Sequence, residues 1–281
     1  MQQTASATLR TVDFDRVAGM IEKASGIHLK PEKRDLLFSR LRKRLAVLGL
    51  RDLRQYWAVL DSGIEDELPE LLDAVATNKT EFFREPAHFD HLAGVARAGH
   101  NGTKTPPTTL RVWSAACSTG EEAYSLAMVL QEALGDAVPF KVLGTDLSGK
   151  ALRRAVEGVY SEESCARVPA ALRLSHLEPS GTRGCLRIRD PLRRKVTFGR
   201  LNLVSDALPF RQPMDAIFCR NVMIYFQKGT QAALIGRLAA QLRPGGWLYT
   251  GLSESLIGIP HVLRSPGASV YQKPASCGGR P

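Results

Sequence analysis

Hydrophobic and polar positions alternate at helical spacing through the first part of the chain. Two amphipathic helices are predicted at 11–24 and 31–48, and similar spacing returns at 53–60 and 67–76. Their apolar positions are Phe14, Val17, Ala18 and Ile21 in the first helix, and Leu37, Leu41, Leu45 and Leu48 in the second. This pattern predicts a small all-helical domain, which we bound at residues 1–85 together with the segment that follows its last helix.

From residue 110 onward, short apolar runs alternate with helical spacing. Buried strands are predicted at 110–113, 140–144 and 215–219, and helices at 121–130, 149–156 and 230–242. This alternation predicts an α/β domain with a mostly parallel sheet at 86–281. Residues 172–200 break the pattern with glycines, short strands that include Lys195–Phe198, and seven Arg or Lys from Arg183 to Arg200. We expect an inserted antiparallel β-subdomain there.

The stretch Leu110–Glu122 combines a strand, a run of small side chains and the start of a helix. Ser114–Ser118 would let a ligand approach the backbone at the carboxyl end of the strand, where nucleotide-like ligands bind in α/β folds. Glu121 and Glu122 open the helix, and their charge argues against a pyrophosphate and favours a nucleoside that carries a cation. An ordinary strand-to-helix turn remains the alternative for this stretch alone.

Polar residues also follow the other predicted strands. Asp146 ends the second strand, where a carboxylate commonly accepts from the two hydroxyls of a ribose. The alternative is that Asp146 only caps the helix at 149–156. Upstream, Thr77–Glu85 mixes an amide, hydroxyls, aromatic rings and an arginine, which fits either a ligand-contacting loop or a capping segment with Thr80 as N-cap.

Composition and charge limit the location and the partners of the protein. No signal sequence or membrane-spanning run is visible, and the five scattered cysteines suggest neither a zinc site nor a disulfide framework, so we expect a cytoplasmic protein without metal. The net charge of +10 favours an anionic partner. On the second helix, we expect a basic docking face beside the leucine stripe, free enough for its charges to be reversed without loss of the fold: Lys33, Arg40, Lys43 and Arg44.

Four segments, in this order, resemble the CheR chemoreceptor glutamate methyltransferases. They are TNKTEFFRE at Thr77–Glu85, WSAACSTGEEAYSLAM at Trp113–Met128, GTDLS at Gly144–Ser148 and CRNVMIYF at Cys219–Phe226. The resemblance covers about residues 10 to 273. It implies a class I S-adenosylmethionine (SAM)-dependent methyltransferase fold, Rossmann-like with one antiparallel strand near the end of the sheet, after a small helical domain.

The resemblance also implies the site and its ligands. The cofactor is SAM and the product S-adenosyl-L-homocysteine, and the matching cofactor positions are Asn78, Thr80, Arg84, Glu121, Asp146, Asn202, Leu203, Arg220 and Asn221. Arg84 would face the methionine carboxylate of SAM. Tyr225 matches a tyrosine near the methyl acceptor, and Arg97 is the arginine nearest to the family's acceptor arginine. The partners would be the cytoplasmic helical domains of chemoreceptors and, at the β-subdomain, a receptor C-terminal peptide, without nucleic acid or membrane insertion and with the enzyme as a monomer.

The chemistry of glutamate methylation suits these residues. The acceptor carboxylate, whose pKa is ordinarily about 4.3, is already ionised at neutral pH, so no general base is required. A nucleic-acid methyltransferase is the rival suggested by the charge, although Arg220–Met223 does not resemble the N-P-P-Y-like segment that holds a base. A receptor-binding scaffold with a vestigial SAM pocket is the non-enzyme alternative. A dehydrogenase is excluded because the central loop lacks G-x-G-x-x-G.

Overall fold

The computed structural model describes residues 11–63, 67–100, 109–204 and 208–275. They form two compact units, one running up to Thr77 and including Tyr225–Gln227, the other containing Asn78–Ile224 and the chain from Lys228 onward. The first unit thus ends eight residues before the boundary expected at residue 85. Among the described residues, no helix is both long and apolar enough to cross a membrane.

The first unit is helical. Its elements are α1 (Thr11–Ser25), a 3-10 turn (Pro31–Lys33), α2 (Arg34–Val47), α3 (Leu53–Asp61) and α4 (Glu67–Val75). The apolar positions predicted for α1 and α2 supply much of its core, with Val17, Ile21 and Leu41 fully buried. Leu48 differs because it caps the end of α2, where the helix leaves the core, and it is 37% exposed.

The second unit has the α/β alternation that the sequence predicts. Its helices are α5 (Ala87–His100), α6 (Glu121–Leu134), α7 (Gly149–Glu157), α8 (Glu162–Cys165), α9 (Ala170–His176), α10 (Asp190–Arg193) and α11 (Lys228–Gln241). Its strands are β1 (Leu110–Ala115), β2 (Phe140–Asp146), β3 (Val159–Ser161), β4 (Leu177–Pro179), β5 (Cys185–Ile188), β6 (Val196–Arg200), β7 (Met214–Cys219), β8 (Leu242–Thr250), β9 (Arg264–Gly267) and β10 (Val270–Gln272).

Seven strands form the main sheet, in the order β6-β2-β1-β7-β8-β10-β9. The first five are parallel to one another, whereas β10 is antiparallel to both of its neighbours. Every residue of β7 is buried, as expected for a strand covered on both faces. The predicted class I arrangement, mostly parallel with one antiparallel strand near its end, is confirmed.

The β-subdomain is a separate antiparallel sheet with the order β3-β5-β4. The expected insertion at 172–200 needs two corrections. Its first strand, Val159–Ser161, precedes the expected start, and Val196–Arg200 pairs parallel with β2 as the edge strand of the main sheet. Alternating apolar side chains at Val196 and Phe198 fit either sheet, so local spacing could not assign this strand.

The sequence Arg243-Pro244-Gly245-Gly246 is typical of a turn. In the structure β8 continues through it, with a register shift against β7 and with Gly245 at a φ of 76°. The Gly245 N–H donates to the Lys273 carbonyl at 2.9 Å, and the Lys273 N–H returns a bond to Gly246 at 2.9 Å. The two glycines therefore form an irregularity inside a paired strand and not a turn that precedes it.

Candidate active site

The carboxyl ends of five parallel strands meet along one edge of the main sheet. The register pairs Arg200 with Asp146, Thr145 with Ala115, Ala115 with Cys219, and Cys219 with Thr250. The candidate cofactor residues of the strand-end loops come at or just after these positions. The sheet thus collects onto one edge side chains that are far apart in the sequence, at the place where α/β folds bind ligands.

Asp146 ends β2 and bonds to the loops on either side of it at this edge. Its Oδ2 accepts the Ser118 N–H at 2.8 Å and its Oδ1 accepts the Ser148 N–H at 2.8 Å. The N-cap of α7 is Ser148, whose hydroxyl accepts the Ala151 N–H at 3.1 Å, so the capping alternative for Asp146 is wrong. Asp146 is only 8% exposed, so its carboxylate is held in place at the mouth of both loops.

The loop after β1 has an unusual backbone. Ala116 and Ser118 have φ values of 69° and 50°, and Gly120 has 96°. A Cβ on Gly120 would come within 2.8 Å of the Ala155 Cβ, so glycine is required there by space as well as by conformation. Glu121, 8% exposed, begins α6; its carboxylate accepts the Thr119 hydroxyl at 2.6 Å, and burial raises its pKa.

The segment 78–85 lies against these loops. Asn78 donates to the Ser148 hydroxyl at 3.3 Å and its carbonyl accepts the Ser118 hydroxyl at 3.1 Å. No helix begins at Thr80, because α5 starts only at Ala87, so the capping-segment alternative is wrong. Thr80 is half-buried in this segment.

Positive φ angles cluster at this edge. Of the described residues, six besides glycine have positive φ, and five of them belong to three segments of the site. These five are Phe83, Glu85, Ala116, Ser118 and Asn221. Such conformations cost free energy and persist where surrounding contacts enforce them, which is common at functional sites.

Arg220 is a buried cation that joins three parts of the site. The residue is 5% exposed, and its guanidinium lies 3.1 Å from the carboxylates of both Glu85 and Glu122. It also donates to the carbonyl of Arg84. Burial raises the pKa of Glu122, and the Arg220 charge opposes that rise. Because the guanidinium is engaged by these partners, we infer that a cofactor contact from Arg220 would come from its backbone.

The remaining cofactor candidates lie on either side of Asp146 along the edge. The Leu201 N–H donates to the Asp146 carbonyl at 3.0 Å, which brings Asn202 and the buried Leu203 to this end of the sheet. Asn221 follows β7 and its side-chain amide donates to Glu85 at 3.4 Å. Arg84, which is half-buried, donates to the Lys79 carbonyl at 3.4 Å.

The two acceptor-site candidates do not join this group. Arg97 is exposed on α5 and lines a groove with Val129 and Glu132, which lie about 12–17 Å along α6 from its start at the sheet edge. The role of Arg97 at the acceptor therefore stays a prediction. Tyr225 packs with the helical unit, where its carbonyl accepts the His28 N–H at 2.8 Å. Its acceptor role stays a prediction.

In the predicted docking face on α2, two residues are exposed and two form hydrogen bonds within the helical unit. Lys33 and Lys43 are exposed. Arg44 pairs with the buried Glu67, its Nε lying 3.0 Å from Oε1, and Arg40 donates to the carbonyls of Val75 and Ala76. The expectation that Arg40 and Arg44 lie on a free face is wrong, because both guanidinium groups hold the helical unit together.

The sequence did not reveal the roles of three carboxylates at the site. Glu85 and Glu122 neutralise Arg220, and Glu254 accepts backbone N–H groups from the loop after β7. A signal existed, since an arginine directly after the apolar run Ala216–Cys219 needs a buried anion. Several glutamates could have filled that place, and the one-dimensional pattern does not rank them.

The donor set fits a nucleoside sulfonium better than a metal. Buried carboxylates at Glu121 and Asp146 can face a cation and a ribose diol, while Arg84 can face a carboxylate. Within the described residues, no group of three or more His, Cys, Asp or Glu could hold a metal ion. The parallel sheet and this site together define a class I SAM-dependent methyltransferase.

Two family models cover most of the chain. Residues 12–76 match the CheR methyltransferase all-alpha domain, and residues 78–271 match the CheR methyltransferase SAM binding domain. The chain therefore belongs to the CheR family of chemotaxis methyltransferases, which methylate receptor glutamates. It is a SAM-dependent methyltransferase.

Curated relatives agree with this assignment. The chain is 40% identical to chemotaxis protein methyltransferase 2 of Pseudomonas aeruginosa, over 92% of each chain. It is 38% identical to the chemotaxis protein methyltransferase of Salmonella typhimurium, over 96% of this chain and 93% of that one. Among solved structures, magnesium protoporphyrin IX methyltransferase of Synechocystis with bound SAM matches 58% of this chain and 57% of that one at 20% identity and a TM-score of 0.33, too weak a likeness to add anything.

Proposed function

We propose that the sheet edge holds SAM and presents its methyl group to a glutamate of a chemoreceptor helical domain. Asp146 accepts from the ribose hydroxyls and Glu121 faces the positively charged part of the cofactor. The observation that carries this assignment is that two buried carboxylates lie at the ends of neighbouring strands: Asp146 ends β2 and accepts two backbone N–H groups, and Glu121 begins the helix after β1 and accepts the Thr119 hydroxyl. Asn78, Thr80 and Arg84 contribute from the segment beside them, with Arg84 facing the methionine carboxylate.

Bound SAM supplies an electrophilic methyl group, and the chain's residues supply its alignment. The receptor glutamate attacks as a carboxylate, so the protein has only to bind, orient and exclude water, effects that together are worth about 7–11 kcal/mol. Asn202, Leu203, Arg220 and Asn221 complete the cofactor's surroundings, and Tyr225 contacts the acceptor. No residue has to remove a proton from the nucleophile.

Receptor docking uses exposed basic residues. We assign it to Lys33 and Lys43, which remain free after Arg40 and Arg44 are removed from the predicted face. The antiparallel β3-β5-β4 sheet is the place for a receptor C-terminal peptide. The enzyme acts as a monomer in the cytoplasm, where the helical domains of its receptors lie.

The product distinguishes glutamate methylation from other transfers. Purified protein is incubated with methyl-labelled SAM and receptor signalling domains, and the labelled receptor is then treated with mild alkali. A glutamyl methyl ester hydrolyses and releases volatile methanol, so we expect most of the label to become volatile. Receptors whose candidate glutamates are replaced by alanine serve as the control and should remain unlabelled.

Three other outcomes would contradict the proposal. Label that resists alkali would indicate N-methylation, and label transferred to nucleic acid in place of receptor would favour the nucleic-acid alternative. Tight SAM binding without transfer to any receptor would instead indicate a receptor-binding scaffold with a vestigial pocket.

A further inference from the structure

The carboxylate of Glu254 is buried in the turn after β8, with 5% of the residue exposed. Its Oε2 accepts the N–H of Asn221 at 2.6 Å and of Gly251 at 2.7 Å, and its Oε1 accepts the N–H of Ile224 at 3.2 Å. The Glu254 carbonyl accepts the Thr250 hydroxyl at 3.0 Å, which fixes the start of the same turn. One side chain thus joins the loops that follow β7 and β8.

The loop after β7 has a shape that needs such support. Asn221 has a φ of 57°, in the left-handed region that side chains rarely adopt. A Cβ on Gly251 would lie 2.5 Å from the Asn221 Nδ2 and 2.7 Å from the Glu254 Oε2, so the two loops approach as closely as glycine permits. The 3-10 turn Met223–Tyr225 begins within the same set of bonds.

We propose that Glu254 is a positioning residue for methyl transfer, which sets the backbone of Asn221 and of the turn that leads into Tyr225. This inference rests on the proposed function, in which Asn221 contacts the cofactor and Tyr225 the acceptor. Glu254 itself touches neither ligand. It acts through three backbone N–H groups, because a carboxylate can accept all of them whereas a side-chain amide presents donors on one side.

The test is the Glu254→Gln variant, which preserves side-chain volume. Calorimetry with SAM should show a dissociation constant raised about tenfold or more, at a stoichiometry near that of wild type, because hydrogen bonds to a charged group are lost. The value of kcat for receptor methylation should fall by about the same factor or more. Glu163→Gln is the matched control, because it makes the same change at an exposed position on α8 and should leave both values unchanged.

A merely structural role would give a different result. Partial unfolding lowers the fraction of protein that binds, so stoichiometry would fall while the dissociation constant of the folded fraction stayed at the wild-type value. That result would overturn the inference. Amide NMR adds a direct signature, since the resonances of Asn221, Ile224 and Gly251 should all move in Glu254→Gln, and unchanged resonances would also overturn it.

Gly251→Ala provides a second route to the same loop without removing the carboxylate. If both changes act through the Asn221 backbone, the activity of the double variant should be little below that of the less active single variant. Multiplied losses would mean that the two residues act independently, against the inference.

Asp146→Ala separates the proposed cofactor site from the proposed role of Glu254. Wild-type affinity for SAM in Asp146→Ala would contradict the cofactor site. Weakened SAM binding in Asp146→Ala together with wild-type binding in Glu254→Gln would contradict only the positioning role.

Discussion

Asp146 satisfies the backbone of two loops and still faces the ligand edge. Its carboxylate oxygens accept the N–H groups of Ser118 and Ser148, and these bonds fix the orientation of the carboxylate. The same side chain therefore shapes the pocket before a cofactor arrives. Arg220 differs from Asp146, because its guanidinium forms ion pairs with Glu85 and Glu122 inside the protein.

Replacement of Asp146 should weaken cofactor binding more than it weakens the fold. Asp146→Ala removes a charged acceptor of ribose hydroxyls, which is worth roughly 1.5–3 kcal/mol, or about tenfold or more in affinity for SAM and for its demethylated product. Calorimetry with both ligands measures the change. Asp136→Ala is the matched control, because the Asp136 side chain is 95% exposed and Asp136 is not a candidate site residue. Wild-type affinity in a folded Asp146→Ala variant would remove Asp146 from the site.

Helices α2, α3 and α4 are held together by one buried carboxylate. Glu67 on α4 is 5% exposed; it accepts the Tyr56 hydroxyl of α3 at 2.5 Å and pairs with Arg44 of α2. The Glu67 hydrogen bond raises the pKa of Arg44, so the arginine stays charged. At the scale of elements, Arg44, Tyr56 and Glu67 link three helices, just as Arg220 links three segments at the sheet edge.

Loss of Arg44 should destabilise the helical unit. Arg44→Met leaves Glu67 buried without its cation, and breaking a buried pair in this way costs about 3–5 kcal/mol. Urea unfolding followed by tryptophan fluorescence measures the loss. Lys43→Met, the exposed neighbour, should change stability by less than about 0.5 kcal/mol. A double Arg44→Met/Glu67→Met variant should recover much of the loss; an Arg44→Met variant as stable as wild type would mean that the pair does not hold the unit together.

The sequence predicts the helices and strands better than it predicts which of them contact one another. Helical spacing placed α1 and α2 because only local periodicity was needed, and the apolar runs identified β1, β2 and β7 for the same reason. The strand Val196–Arg200 was assigned to the wrong sheet because its partner, β2, is distant in sequence. The free face on α2 failed for a related reason: spacing shows which residues share a face, but not that Glu67 on another helix takes up the charge of Arg44.

On the scale of the whole molecule, the net charge is expected to affect the encounter with an acidic partner. The net charge of +10 raises association with any acidic partner, and such steering is screened over about 8 Å at physiological salt. The proposed docking role of Lys33 and Lys43 would add a local contribution to this general attraction. The two contributions can be separated by changes that alter net charge equally.

Charge reversal at the docking residues should slow methylation without affecting the cofactor. Lys33→Glu/Lys43→Glu should bind SAM as wild type does, methylate receptors more slowly at low salt, and show a flatter dependence of initial rate on ionic strength. Arg51→Glu/Arg54→Glu changes the net charge equally at two other exposed positions of the same unit and should retain most of the wild-type rate. Equal losses in both variants would assign the effect to net charge alone, and the docking role of Lys33 and Lys43 would be withdrawn.

The strand-end arrangement of the site also has a consequence during synthesis. The residues that meet at the sheet edge run from Asn78 to Glu254, so the edge is incomplete until β8 and the turn after it have left the ribosome. Domains fold as units from the N-terminal side as the chain emerges, and the helical unit can therefore form long before a cofactor can be held. A nascent or truncated chain that ends before Glu254 would lack the bonds that shape the Asn221 loop. If Asn221 contacts the cofactor as proposed, such a chain is expected to bind SAM more weakly than the completed enzyme.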